Sequence, residues 1–561
     1  MDDNQFGKLF IAIVLVYFTG TMVNIMDIDA GQYAAMSREM LETGSYLQVF
    51  EHGHDYLDKP PLVFWLSSLS MAVFGATNFA YKLPSLLFAL LAIYSTYRFA
   101  KVFYSQSIAK LAALVLASSQ ALFMMTNDCR TDTLLMGSVA FAFWHLAAGF
   151  ETHNWKHFLG GFIGIGFGLL AKGPVAFIIP AMAFSVHFIY KKQYKNFLRL
   201  EYVWGLAVIA LILLPMCIGL YQQFDMHPEK VVQGKTGTSG LRFFFWVQSF
   251  GRITGENVWR NGVYFTYLFE TMFWSFAPWI LLFIAGYITS IINIFKKDRF
   301  FETKELITLG GFTLGYASLA SSKYQLPHYI FVVYPLIAVT TARFIVDVLG
   351  KKMDGIFGKM LKILRGVQWA VVSALWLLPF FILIYTFPLF DSGFALLNPV
   401  LIAMVVFAVL YIVFAIQNKQ LVFSTVYTVI AINLFLNLYF YRELLKYQES
   451  SEVGSEISAM KLPQDAFFTY KYPTMGALHF YSRRVVQMKD NVEQVKIGDW
   501  LLLNEDGLAE LQNADLNVKI VETGNTFSVT NLTPAFLNFK TRPDVVGQYF
   551  LVQVLEPEAE R

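Results

Sequence analysis

The sequence predicts a multi-span, all-α membrane protein of about 13 transmembrane helices, followed by a C-terminal α/β domain. Three observations predict it. Hydrophobic residues fill 56% of the 561 positions and charged residues only 15%, where a soluble chain carries about 25% charged residues. Apolar segments of roughly 20 residues, enough to cross the hydrocarbon core, recur as far as residue 440. Beyond about residue 445 the pattern turns to short apolar runs between turns.

The first apolar segment covers residues 8–26. Asp2 and Asp3 precede its first lysine and no small-residue cleavage site precedes Asp27, so it reads as a retained span and not a cleaved leader. Further spans are expected near 80–99, 107–126, 132–150, 157–172, 174–190 and 203–221, then 272–292, 305–321, 325–347, 366–388, 398–416 and 421–440. Residues 62–76 are apolar but short, which suits a re-entrant or tilted segment. Cys129 and Cys217 read as small apolar residues, not as a disulfide pair.

Loop charges orient the chain. Lys191, Lys192, Lys195 and Arg199, then Lys296, Lys297, Arg299 and Lys304, then Arg343, Lys351, Lys352, Lys359, Lys362 and Arg365 all fall on one side, while 389–397 on the other has neither lysine nor arginine. The basic side is expected to be cytoplasmic. The N-terminus is then cytoplasmic, and the 27–80 loop, the 222–270 loop and the tail face outward. Residues 1–440 are expected to form the membrane domain and 445–561 a soluble domain. In the latter, runs at 467–470, 500–503 and 549–552 read as strands, with helices near 450–460 and 507–513.

The outward side holds charges that a membrane edge does not explain. A helix is expected from Ala30 to Leu41, with Asp29 at its N-cap and Gly44 as its stop, lying amphipathically at the interface. Asp29 therefore has two readings, a cap or a site residue, and Asp27 is a site residue or simply a polar group at the water boundary. Lys59 sits in Asp58-Lys59-Pro60-Pro61, where two prolines stiffen the backbone beside an apolar run. It either holds a phosphate or snorkels as an anchor. Lys172 and Lys323 lie on the same side, and Arg252 and Arg260 fall in the large loop, so five cations there are suited to a lipid-borne phosphate or pyrophosphate. The aromatics of that loop, Phe243 to Trp246, either cover a lipid entrance or pack on the membrane surface.

Some chemistry is excluded. Gly234-Lys235-Thr236 resembles the end of a phosphate loop, but Glu229 stands where its first glycine belongs, so no nucleotide cofactor is expected. No HExxH-type spacing and no nucleic-acid pattern occurs. His328 is either a site residue or an interfacial one.

The run Asp29-Ala30-Gly31-Gln32-Tyr33-Ala34-Ala35-Met36-Ser37-Arg38-Glu39-Met40 resembles the first outward loop of bacterial aminoarabinose transferases that modify lipid A, within the polyprenyl-phosphate-sugar-dependent glycosyltransferases that include protein O-mannosyltransferases. Lys59-Pro60-Pro61-Leu62, Lys172-Gly173-Pro174, Pro278-Trp279 and Lys323-Tyr324-Gln325-Leu326-Pro327-His328-Tyr329 resemble later blocks in the same order. The resemblance implies a GT-C glycosyltransferase fold in the bacterial inner membrane, a periplasmic active site and a sugar donor carried on undecaprenyl phosphate or a similar lipid. The acceptor would be lipid A, another glycan or a protein. A monomer surrounded by membrane lipids is expected.

Carried onto this chain, the resemblance makes Asp29 the catalytic acidic position and Asp132 the second, with Asp128 competing for that place. Lys59 is the first candidate to stabilise the leaving phosphate, joined by Lys172, Arg252, Arg260 and Lys323. Asp27, Gln32, Tyr33, Asp58, Asp128, Arg130, His328 and Tyr329 are supporting candidates. A divalent metal held by Asp27 and Asp29 is a further expectation. The chain departs from the aminoarabinose pattern, which has Glu after the catalytic Asp and Arg three residues beyond it, by carrying Ala30 and Gln32. A transporter or flippase of a polyprenyl-phosphate-linked substrate is the alternative function, and it would call for repeats or broken helices at the midplane.

Overall fold

The computed structural model describes residues 3–556 except 233, 249–250, 252–253, 255, 257–260, 298, 352, 390–398 and 419. Helix α1 (Asp3–Thr21) leads through a short turn to α2 (Asp29–Thr43), then to the hairpin of β1 (Phe50–Glu51) and β2 (His54–Asp55) and to α3 (Leu62–Phe74). The bundle continues through α4 (Asn78–Phe103), α5 (Gln106–Ala117), α6 (Gln120–Asn127), α7 (Thr131–Thr152), α8 (Trp155–Lys172), α9 (Val175–Tyr190) and α10 (Glu201–Leu220). A second hairpin pairs β3 (Val231–Val232) with β4 (Lys235–Thr236). Later helices include Ile280–Phe295, Ile307–Ala320, the continuous span Pro327–Leu349, and Leu421–Phe435.

Among the described residues, six helices are long and apolar enough to cross a membrane, or seven if α5 and α6, bent by 51°, count as one span. This corrects the expected 13. Helices form at the other predicted segments, but Val175–Tyr190 and Ile280–Phe295 are only 16 residues long and Ile307–Ala320 only 14. At about 1.5 Å per residue they fall short of a hydrocarbon core about 30 Å thick. Residues Leu62–Phe74 form the short apolar helix α3.

Helix α2 differs from its expected form. Asp29 is its first residue and not the cap, since Ile28 precedes it. Gly44 ends it as predicted, in the left-handed region at φ 71°, with its N–H donating to the Met40 carbonyl. The helix is not a surface amphipath: Arg38 and Glu39 are buried along with Tyr33, Ala34, Ala35 and Met36. Both faces are covered, one by the bundle and one by the C-terminal segment.

That segment builds a five-stranded mixed sheet in the order β6-β5-β7-β9-β8, from β5 (Phe467–Tyr470), β6 (Gln487–Lys489), β7 (Trp500–Asn504), β8 (Val518–Thr526) and β9 (Gly547–Val554). β5 runs parallel to β6 and β7, and β9 runs antiparallel to β7 and β8. Helices Glu449–Met460 and Glu505–Asn513 lie close to where the sequence puts them, while the helix Gly476–Ser482 was not foreseen.

A candidate active site at one end of the bundle

Four chain positions meet at one end of the bundle: the turn after α1, the start of α7, the end of α8 and the start of the span Pro327–Leu349. Alternating helix direction makes these ends coincide, so charges far apart in sequence share one polar cavity of about 600 Å³. Asp29, Gln32, Tyr33, Lys59, Arg130, Asp132, Lys172, His328 and Tyr329 all line it. Most of the expected site residues are thus brought together.

The charges are organised as three groups. Arg130 donates through Nη1 to Asp29 Oδ2 at 2.5 Å and through Nε to Asp128 Oδ2 at 2.7 Å. Burial alone would lower the guanidinium pKa, but the carboxylates of Asp128 and Asp29 outweigh it and hold the group above its ordinary value. In the second group Lys172 donates to Asp132 Oδ1, and His328 Nε2 lies 3.6 Å from Asp132 Oδ2. The Lys172 ammonium also stands 4.0 Å from the centre of the Tyr329 ring. In the third, Lys59 pairs with Asp58 Oδ2 at 2.5 Å while Gln248 Nε2 donates to Asp58 Oδ1 at 2.5 Å.

Asp58, Lys59, Lys172 and Tyr329 also wall a second cavity of about 390 Å³, whose other lining is largely apolar and includes Leu135, Val175, Ile178, Met182 and Leu319. Two ammonium groups therefore sit where a polar chamber meets an apolar one. Such a boundary suits an amphiphile with an anionic group between a polar head and a hydrocarbon tail.

Several expectations need correction. Asp27 does not face the cavity; its carboxylate accepts the Ala477 N–H at 2.8 Å, turned toward the C-terminal segment. With Asp29 committed to Arg130, the two do not form the expected metal pair. Among the described residues no three His, Cys, Asp or Glu side chains converge as metal ligands, and Asp29, Asp58 and Asp132 each face a cation, a donor set that does not fit a divalent ion. Lys323 is exposed and outside the walls of both cavities, where Tyr324 and Leu326 line the polar one in its place. Asp128 reaches the site only through Arg130. Arg252 and Arg260 lie outside the described residues.

The sequence reading missed the hairpin. Glu51 and Asp55 line the cavity, Gln32 Nε2 donates to Glu51 Oε1 at 2.7 Å, and Lys230 pairs with Asp55 at 2.8 Å. The signal was present in His52-Gly53, which forms the two-residue turn with both residues at positive φ. Tyr33 was foreseen, and its phenol is held well above its ordinary pKa by burial, aided by Tyr56 and Asp29, so it stays a donor.

The chain is similar to several known proteins. A family model described as dolichyl-phosphate-mannose-protein mannosyltransferase matches residues 58–218. An undecaprenyl phosphate-alpha-4-amino-4-deoxy-L-arabinose arabinosyl transferase of Proteus mirabilis is 25% identical over 359 residues, 62% of this chain and 61% of that protein. One from Pseudomonas fluorescens is 26% identical over 352 residues, 60% of this chain and 59% of that protein. The chain thus spans about three-fifths of the length of these curated relatives. The crystal structure of ArnT from Cupriavidus metallidurans bound to undecaprenyl phosphate superposes with a TM-score of 0.72 at 17% identity, covering 100% of both chains. The apo state of the same protein gives 0.70. These likenesses bear out the resemblance to polyprenyl-phosphate-sugar-dependent transferases, and the full-length superposition establishes the fold.

Proposed function

We propose that the chain is an integral-membrane glycosyltransferase that moves a sugar from a polyprenyl-phosphate carrier to an acceptor on the periplasmic face of the bacterial inner membrane. One observation carries the reading: Lys59 and Lys172 stand at the shared wall of a polar and an apolar cavity. The carrier's hydrocarbon would occupy the apolar chamber, its phosphate the lysine boundary, and the sugar the polar chamber. The names of the curated relatives, arabinosyl transferases acting with undecaprenyl phosphate, support the same donor class.

The chemistry follows from the charges. The bond between the sugar's anomeric carbon and the phosphate oxygen breaks, the electron pair leaves with the phosphate, and a new bond forms from the acceptor oxygen on the opposite face, inverting the centre. Negative charge growing on the leaving phosphate is what Lys59 and Lys172 stabilise. Asp132 and His328 hold Lys172 in place. Arg130 fixes one oxygen of Asp29; the other is the group that orients an acceptor and, where that acceptor is a hydroxyl, takes its proton as general base. A lipid-phosphate acceptor is already ionised and needs only orientation. With Ala30 and Gln32 in place of the usual Glu and Arg, the sugar and acceptor are left to experiment.

In this reading residues 1–440 form the catalytic membrane domain and 445–561 an outward soluble domain, with the N-terminus cytoplasmic. The shorter apolar helices pack against the full spans as partial crossings or where the bilayer thins locally. The test is incubation of purified protein with radiolabelled polyprenyl-phosphate sugars and a panel of lipid, glycan and protein acceptors. Transfer of label to any acceptor supports the reading. Movement of intact donor across vesicles without transfer would support the flippase alternative instead.

A further inference from the structure

Helix α2 carries the site on one face and the C-terminal segment on the other. Gly31 of α2 and Gly476, the first residue of the helix Gly476–Ser482, face each other backbone to backbone. A Cβ on Gly476 would lie 2.2 Å from the Gln32 nitrogen and 2.4 Å from the Gly31 carbonyl carbon. One on Gly31 would lie 2.3 Å from Asp27 Oδ1 and 2.6 Å from the Ala477 nitrogen. Real Cβ atoms do not approach backbone so closely, so any side chain at either position must push the helices apart.

Around this contact the C-terminal segment grips the residues that enter α2. Asp27 Oδ1 accepts the Ala477 N–H, a first-turn donor of a helix with no side-chain cap of its own. The Asp27 N–H donates to Gln448 Oε1 at 2.9 Å, Gln448 Nε2 returns a bond to the Ile25 carbonyl at 2.9 Å, and the Ile25 N–H donates to the Tyr481 hydroxyl at 2.8 Å. His479 packs against His52 of the hairpin turn with ring centres 3.6 Å apart and the ring planes tilted by 37°. Glu39 of α2 accepts both the His52 and Gly53 N–H groups at 2.7 Å. The helix Gly476–Ser482 therefore touches both elements that present Asp29, Gln32 and Glu51 to the cavity.

The geometry points to the C-terminal segment as a positioning element of the active site, with Asp27 and Gly476 as positioning residues that set where Asp29 stands relative to Arg130 and the donor. This rests on the transferase reading above. Asp27 touches neither cavity, so it acts through the backbone of α2 and not on the sugar or its phosphate. The effect belongs on turnover more than on donor affinity, because Lys59 and Lys172 are carried by other elements.

The experiment measures transfer kinetics and amide hydrogen exchange of residues 29–40 in the full-length protein. Gly476→Val is expected to lower kcat at least tenfold with KM within about twofold, and to speed exchange in α2. Asp27→Asn keeps the oxygen that accepts the Ala477 N–H and is expected to retain kcat within about twofold, whereas Asp27→Ala loses about tenfold. Ile497→Ala, an exposed change in the same segment, leaves kcat and α2 exchange as in wild type. Wild-type kcat and exchange in Gly476→Val, or equal activity in Asp27→Asn and Asp27→Ala, would overturn the assignment. If wild type transfers no sugar from any donor, the transferase reading falls on its own. The exchange of α2 in Gly476→Val then still decides whether the C-terminal segment orders that helix: faster exchange supports it, unchanged exchange overturns it.

Discussion

The two faces of α2 handle charge in opposite ways. On the cavity face Asp29, Asp132 and Asp58 each meet a cation, and the groups border open volume. On the opposite face Asp27 is buried against backbone N–H and amide groups and lines neither cavity. Burial pushes its pKa up to about 6, partly opposed by the Ala477 hydrogen bond. The first arrangement is ready to exchange partners with an ionic ligand, while the second fixes a backbone. Two carboxylates two residues apart thus have different tasks, and it is their surroundings that assign them.

The sharpest break in the comparison is Asp29→Asn. It removes the negative charge facing Arg130 and the proton acceptor at once, and transfer to a hydroxyl acceptor should fall by about 10²–10⁴ in kcat. Next comes Lys59→Ala, expected to lower kcat/KM by roughly 10²-fold, as for loss of one group aimed at developing charge, and to weaken polyprenyl-phosphate binding in a direct binding assay. Lys172→Met leaves Asp132, only 5% exposed in its side chain, without its closest cation. A stability loss of about 3–5 kcal/mol is expected from stranding such a buried charge, read as a lower thermal midpoint in detergent in addition to lost activity.

The tail-facing side predicts smaller, pH-dependent effects. Because the folded pKa of Asp27 lies above its usual 3.8, its contribution is fully present below about pH 4 and is lost as pH rises through about 6. Asp27→Asn should therefore raise the melting temperature above pH 6, by the equivalent of at most about 3 kcal/mol, and the gain should vanish near pH 4. His479 has the opposite sign. Burial, and then His52 and Arg38, depress its pKa to about 3, so its contribution is present above about pH 6.5 and is lost as pH falls toward 3. His479→Phe should flatten that acid-side loss while leaving the Asp27 slope, and melting curves across pH 4–8 separate the two.

Much of the cavity face was legible in the sequence because charge beside apolar segments is costly and therefore conspicuous. Asp29, Lys59, Asp132 and Lys172 stand out at the ends of hydrophobic runs, and the wall they share follows once the helix directions are known. The tail face was not legible. Asp27 meets Ala477 across 450 residues of sequence, and nothing in Asp27-Ile28-Asp29 says which of the two carboxylates turns inward. Nothing in the sequence around Gly476 announces its close contact with Gly31. Lys323 failed for a related reason: sequence placed it at the correct end of the bundle, but not on which side of its loop it points. The span count was overestimated because apolar composition alone does not distinguish a full crossing from the 10–17-residue helices found here.

The central claim is that Asp29 acts on transfer while the lysines at the cavity boundary hold the donor. It is tested most directly by single-turnover transfer from a radiolabelled polyprenyl-phosphate sugar by Asp29→Asn, with donor affinity measured on the same preparation and an acceptor that wild type glycosylates through a hydroxyl. The account predicts donor affinity within about threefold of wild type and a transfer rate at least 10²-fold lower. A wild-type transfer rate in Asp29→Asn with donor bound would contradict it.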